Sequence, residues 1–233
     1  MAGQQGTDEI YKTLESEIIS LKILPGDVLS ENQLCKRFGI SRTPIRSVLQ
    51  RLEQSGFVQI IPYRGTIVTP IDLDKANQMI YQRVAVESMV LRDFTRSASP
   101  IEVEQVRHAL RQLEEEALKR EDLSSFDINR FLQTDLAMHE LWFRFTGKTF
   151  LWQNLLLPQS DYARLMRLDI VGGRNVPDVL QEHREFMRII DEKDIDAIEP
   201  IVTRHLYGGV RRTSEQIFSD EYSRFFRQPD ENK

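Results

Sequence analysis

Cysteine is almost absent: Cys35 stands alone in 233 residues, which excludes an intrachain disulfide. Set among the core-forming residues of a short helical stretch, it reads as a small buried hydrophobe rather than a redox switch. No apolar run is long enough for a membrane span, and the polar start from Met1 to Asp8 has no signal-peptide core. The expectation is a cytoplasmic protein with no membrane partner. Repeats and low-complexity tracts are also missing. With only 11 glycines and 40% hydrophobic residues, the chain can bury a sizeable core, and its length divides more naturally into two domains than one.

Acidic side chains outnumber basic ones overall, and the balance reverses in one stretch. The chain carries a net charge of -5, yet residues 1–70 hold eight basic and seven acidic side chains. From Lys36 to Arg64 there are six Lys or Arg against one acid, Glu53, which is the electrostatic footprint of a duplex binder on an acidic body. Thr69-Pro70-Ile71-Asp72 is the natural hinge, because Pro70 disfavours helix before it and Asp72 can cap the helix that follows. This gives a DNA-contacting domain over 7–70 and an acidic second domain over 71–228.

The stretch from Leu34 to Ile67 predicts a helix, a tight turn, a second helix and a β-hairpin, the winged helix-turn-helix plan. Leu34, Phe38 and Ile40 would pack the supporting helix, Gly39 would supply a left-handed turn, and Ser41 stands at the N-cap of the second helix. Ile45, Val48, Leu49 and Leu52 form its buried stripe. That leaves Arg42, Thr43, Arg46 and Gln50 facing DNA, with Pro44 shaping the first turn. Strands over Phe57–Ile61 and Thr66–Val68 would flank a turn that carries Arg64 and Gly65 to a phosphate or the minor groove. An ordinary helical hairpin with a solvated basic face is the weaker reading.

These residues resemble a known family. Pro25-Gly26, Leu29-Ser30-Glu31, Leu34, the run Gly39 to Arg46, Leu49-Gln50-Arg51-Leu52 and Gly56 look like the N-terminal domain of GntR-type bacterial transcription regulators. The match covers about the first third of the chain.

Beyond the hinge, apolar residues recur at helical spacing, with helices expected at about 73–97, 100–120, 124–146, 149–169, 177–191, 194–218 and 219–227. Ser99-Pro100-Ile101-Glu102 has capping-box spacing, and Gly147, Gly172-Gly173 and Pro177 punctuate the later pattern. The fold class is therefore mainly α: a winged helix-turn-helix domain followed by an all-α antiparallel bundle.

Within that bundle, Asp135 and His139 share a stripe with Leu132, Leu136 and Trp142. His183 lies on a stripe with Leu180, Met187 and Ile190, and His205 on one with Ile198, Ile201 and Val202. Any one of these would read as a hydrogen-bonded core residue, because a polar group on an apolar face needs a partner. Four together make an N/O site for a divalent metal, with zinc foremost, then nickel, manganese or iron, rather than calcium. His108, outside any such stripe, reads as a surface residue.

The pattern Asp135-x-x-x-His139, His183, then Asp194 and Ala197 before His205 resembles the metal-binding FCD domain of the FadR branch of GntR-type regulators. The resemblance implies a metal held by those four residues and a small organic acid completing its coordination. A carboxylate effector also needs a cation. Arg83 is the first candidate, set against a purely structural Arg83–Glu87 pair, and Arg164 with Tyr162 would form the pocket wall. The expected function is a homodimeric regulator, a repressor rather than an enzyme, that binds a pseudo-palindromic operator and answers to a small carboxylic acid. The alternatives are a metal sensor with no organic effector, or a metal-dependent hydrolase; the hydrolase lacks a dedicated general acid or base.

Overall fold

The structure is a computed structural model that describes residues 6–119, 126–156, 160–170, 175–217, 219 and 222–227. It forms two compact units, and the boundary between them falls inside three helices, after Ala76, Arg167 and Thr213.

In the first unit, α1 (Thr7–Ile19), α2 (Glu31–Phe38) and α3 (Arg42–Gln54) surround a core of Ile10, Leu14, Ile18, Ile45, Val48, Leu49 and Leu52. Ser30 caps α2 by accepting from the Gln33 amide, and Gly39 leaves it at φ 66°, a left-handed turn that glycine adopts without strain. Ser41 is the N-cap residue of α3 without a side-chain capping bond. The sheet has the order β1-β3-β2 from β1 (Val28–Leu29), β2 (Val58–Ile61) and β3 (Gly65–Val68). Pairing is antiparallel throughout, with Leu29 opposite Thr66 and Ile60 opposite Thr66 from the other side. Two elements go beyond the sequence expectation: α1, whose Ile10, Leu14 and Ile18 recur every fourth residue, and β1, two residues long and too short for any periodicity.

The hinge residues are held within this unit. Asp72 caps α4 (Leu73–Ser97) by accepting from the Lys75 amide at 3.1 Å. The Ile71 amide donates to Phe225 at 2.7 Å, the Arg227 amide donates back to Ile71 at 2.8 Å, and Ile71 pairs with Phe226 as a parallel bridge.

The second unit is helical. α4 continues through it, followed by α5 (Pro100–Leu118), α6 (Ile128–Phe145), α7 (Thr149–Leu155), the end of α8 (Ser160–Ile170), α9 (Val176–Glu192) and most of α10 (Ile198–Ile217). Both bonds of the capping box at Ser99 and Glu102 form. Phe94, Val106, Leu113, Phe131, Met138, Trp142, Phe143, Phe186 and Ile189 are fully buried. The single helix expected over 149–169 is instead two, α7 and α8; the sequence carries Pro158 between them, which disfavours helix at the preceding residue. Over 219–227 the described part is a 3-10 turn at Ser223–Phe225 followed by the bridge at Phe226, not an α-helix. Gly172-Gly173 and the tail from Gln228 lie outside the described residues. Among those that are described, no helix is long and apolar enough to cross a membrane.

Candidate metal centre and nucleic-acid interface

On α3 the buried stripe leaves Arg42, Thr43, Arg46 and Gln50 exposed, while Pro44 is half-buried in the first turn. Two of these side chains are steadied from α2. Arg42 Nη2 donates to Asn32 Oδ1 at 3.0 Å, and Arg46 Nε donates to both Glu31 oxygens at 2.9 and 3.1 Å. Because Glu31 engages Nε, the outer edge of the Arg46 guanidinium remains for a guanine or a phosphate. The wing turn closes with the Arg64 amide donating to Ile61 at 3.0 Å, and Arg64 and Gly65 are exposed at its tip. Gly65 sits at φ 98°, a conformation that disfavours any side chain. Glu53, the one acid in the basic stretch, accepts from the Ile60 amide at 2.7 Å and thus fastens β2 to α3. Glu31 stood in the family pattern, but neither it nor Asn32 was expected as a partner of Arg46 or Arg42, because a carboxylate and an amide on the preceding helix carry no sequence sign of that contact.

In the second unit, α6, α9 and α10 bring Asp135, His139, His183 and His205 together, with one ligand atom from each lying within 4.8 Å of the others. His139 and His183 are fully buried and His205 nearly so. The three imidazoles are oriented in the same way. His139 Nδ1 donates to Glu87 Oε2 at 2.7 Å, His183 Nδ1 to the Val179 carbonyl at 2.7 Å, and His205 Nδ1 to Glu182 Oε2 at 2.9 Å. Each Nδ1 is thereby the donating nitrogen, which leaves each Nε2 toward the centre of the cluster; burial lowers His183, but Asp135 beside its Nε2 outweighs it and raises that imidazole above the usual value. His139 Nε2 is buried with no hydrogen-bond partner, and His183 Nε2 lies 3.0 Å from Asp135 Oδ1 without hydrogen-bond alignment. Buried nitrogens are rarely left so, and a cation at the centre would satisfy both.

The carboxylates behind the histidines are held in turn by arginines. Arg83 Nε donates to Glu87 Oε1 at 2.5 Å, and Arg212 Nη1 donates to Glu182 Oε1 at 3.2 Å while binding Asp169 Oδ2 through Nη2 at 2.7 Å. Burial works to raise Glu87, but Arg83 and His139 outweigh it and hold the carboxyl at about 2. Asp135, half-buried, is drawn below the ordinary carboxylate range by the surrounding imidazoles, His183 first, against the burial that raises it. Burial, then His183 and His139, push His205 well below the usual histidine value, so it is the neutral imidazole that metal ligation requires.

Arg83 thus reaches the cluster through Glu87, with its guanidinium 5.9 Å from the Trp152 ring centroid. Tyr162 and Arg164 belong to the other unit. There Arg164 is fully buried, donates to the Thr69 carbonyl at 2.5 Å and pairs with Asp161 at 3.0 Å. His108 is exposed on α5. The supports Glu182, Asp169 and Arg212 were not among the expected residues, since they meet only because α8, α9 and α10 pack together.

Residues 7–68 match the model of bacterial regulatory proteins, gntR family, and residues 78–208 match the FCD domain. The chain belongs to this family. It is a transcriptional regulator with an N-terminal helix-turn-helix and an FCD domain, not an enzyme. Among curated relatives of this GntR-family regulator, it is 28% identical over 228 residues to the HTH-type transcriptional repressor RspR of Escherichia coli K12, covering 94% of this chain and 96% of that one. It is 26% identical over 230 residues to the galactonate operon transcriptional repressor of the same organism, covering 90% and 97%. A putative GntR transcriptional regulator from Rhodococcus sp. RHA1 shares its fold with a TM-score of 0.68 at 18% identity, covering 89% of this chain and 97% of that chain.

Proposed function

We propose that this regulator is a homodimeric repressor whose hold on operator DNA is set by a small carboxylic acid, received at a divalent metal in the FCD domain. The observation that carries the reading is the set of three histidines with Nδ1 occupied and Nε2 turned inward beside Asp135. The buried groups bonded to the cluster support it as well. Among the described residues, the ion pairs of Glu87, Glu182 and Asp169 run to Arg83 and Arg212, and Asp135 adds a further carboxylate beside His183, a concentration of negative charge that a divalent cation offsets. Three imidazoles and one carboxylate suit zinc first, then nickel, manganese or iron. The bound metal supplies a positive pole for a carboxylate.

In this reading, residues 7–70 read DNA through Arg42, Thr43, Pro44, Arg46 and Gln50, with Arg64 and Gly65 on the wing, and residues 71–228 sense and dimerise. The pairing of Arg83 with Glu87 favours a support of His139 over direct contact with the effector. Two relatives named as repressors favour repression, and one named for the galactonate operon points to sugar acids as the first class to try. α4 carries Arg83 and Glu87 and begins directly after Asp72, so a change at the metal is transmitted along one helix to the hinge.

The test is metal analysis of protein purified without a histidine tag, with thermal-shift screening of sugar acids and di- and tricarboxylates. About one metal per chain and a dose-dependent shift with one acid, mirrored by a change in operator affinity, is the expected result. Metal without any acid response would identify a metal sensor, and absence of metal would overturn the proposal.

A further inference from the structure

The wing turn carries a side chain that the protein on its own does not use. Tyr63 is 109% exposed, and among the described residues it has no hydrogen bond, ion pair or ring contact. Its backbone lies at φ 64°, in the left-handed region. The bond from the Arg64 amide to the Ile61 carbonyl closes a four-residue turn in which Pro62 is second and Tyr63 third. A third position with positive φ ordinarily takes glycine or asparagine, because a Cβ there crowds the following carbonyl. The chain thus keeps a large aromatic residue where glycine would sit without strain, and no contact among the described residues offsets that cost. Strain together with complete exposure points to a partner outside the chain. The place of the residue says which: it stands beside Arg64 at the tip of the hairpin that follows α3.

We infer that Tyr63 reads the minor groove of the operator beside the bases that α3 contacts, with its ring on edge between the sugar walls and its hydroxyl donating to an A·T pair. The inference rests on residues 7–70 as the DNA reader and adds a base-reading residue to the wing, where Arg64 then takes a phosphate. Each strand of the hairpin is four residues, about 13 Å, which carries the tip from a helix in the major groove across one sugar-phosphate strand. The groove beyond is about 6 Å wide; it admits a ring on edge and excludes the sheet itself. There adenine N3 and thymine O2 accept a hydrogen bond from a phenol, whereas a G·C pair sets the guanine amino group, itself a donor, in the same path. Tyrosine adds no formal charge to the wing, so the contact contributes base preference rather than salt dependence.

The test is operator binding by the full chain at fixed salt, on DNA selected from a random pool, together with the melting temperature of each protein. The selected operator should carry A·T pairs beside the bases that α3 reads. Tyr63→Gly should bind about tenfold more weakly and melt no lower than the parent, because the strained turn relaxes as the contact is lost. Tyr63→Phe, which lacks only the hydroxyl, should lose several-fold in affinity. Replacing the flanking adenines by 2,6-diaminopurine puts an amino group into the minor groove and keeps the major-groove edge of adenine. The parent should lose about tenfold on that DNA, and Tyr63→Gly should be nearly indifferent to it. G·C pairs at the flanking positions, parental affinity in either Tyr63 variant, or equal loss on diaminopurine DNA in parent and Tyr63→Gly would overturn the inference. So would a Tyr63→Gly protein that melts well below the parent, since the side chain would then support the fold. Arg46→Ala separates this from the reading beneath it: loss there with Tyr63→Gly unaffected overturns the minor-groove contact alone, and no loss in either overturns the DNA reading as well.

Discussion

Glu87 accepts the Nδ1 proton of His139 at 2.7 Å from a position with no solvent exposure, and its second oxygen is held by Arg83. The carboxylate is therefore a fixed acceptor that decides which histidine nitrogen faces the cluster. Glu87→Gln keeps the shape and removes the charge. Metal affinity in a chelator competition titration should fall by about ten- to a hundredfold, the usual effect of losing such a support. An unchanged affinity would mean that Glu87 serves packing alone.

Gly208 offers a sharper separation of site from fold. A Cβ at this position would lie 2.6 Å from Arg212 Nη1, the atom that binds Glu182. Gly208→Ala should push Arg212 away from Glu182, loosen His205 and weaken metal binding. Helix propensity acts in the other direction, by about 1 kcal/mol in favour of alanine. The metal-free protein should thus melt no lower than the parent while metal affinity drops several-fold. A variant that binds metal as tightly as the parent would remove Arg212 from the support of the site.

At the DNA reader, Arg46→Ala should weaken binding to an operator selected from a random pool and leave metal content alone. Glu31→Gln should do less to affinity and more to selectivity, because the guanidinium loses the carboxylate that orients it. Base preference at one operator position should relax by about 1–3 kcal/mol for the arginine variant. Equal preference in all three proteins would take the pair out of sequence reading.

Ser99 provides a control far from either chemistry. Its hydroxyl accepts from the Glu102 amide at 3.3 Å, and its amide donates to the Glu102 carboxylate at 2.7 Å. Ser99→Ala should cost about 1 kcal/mol, which for a chain of this size lowers the melting temperature by about 2–4 °C. Metal binding should stay as it was; a loss of metal here would mean that general destabilisation, not the named supports, governs the site.

The four candidate metal ligands could be read from sequence because each sits on the apolar stripe of its own helix, where a histidine or aspartate stands out. Their supports could not. Glu87 was visible only as a partner of Arg83, and Glu182 and Arg212 look like ordinary charges until α9 and α10 pack, which buries Glu182 and half-buries Arg212. The DNA reader was legible from Gly39 to Leu52 because capping, turn and stripe agree along one short stretch. β1 was not, since a two-residue strand exists only by virtue of Ile67 and Thr66 opposite it. Pro158 marked the break between α7 and α8, yet the apolar residues on both sides kept enough helical spacing to mask it.

The junction behind the wing is fastened by residues made much later on the ribosome. Thr69 waits for Arg164, 95 positions on, and Asp72 for Arg227, 155 positions on. The DNA-reading helices emerge first and can fold early, whereas the contacts that Arg164 and Arg227 make to the segment behind them form only after those later residues have emerged. A chain without Arg227 would keep the recognition helix and lose the ion pair to Asp72. The order of synthesis thus places the reading helices ahead of the contacts that fasten the segment behind them.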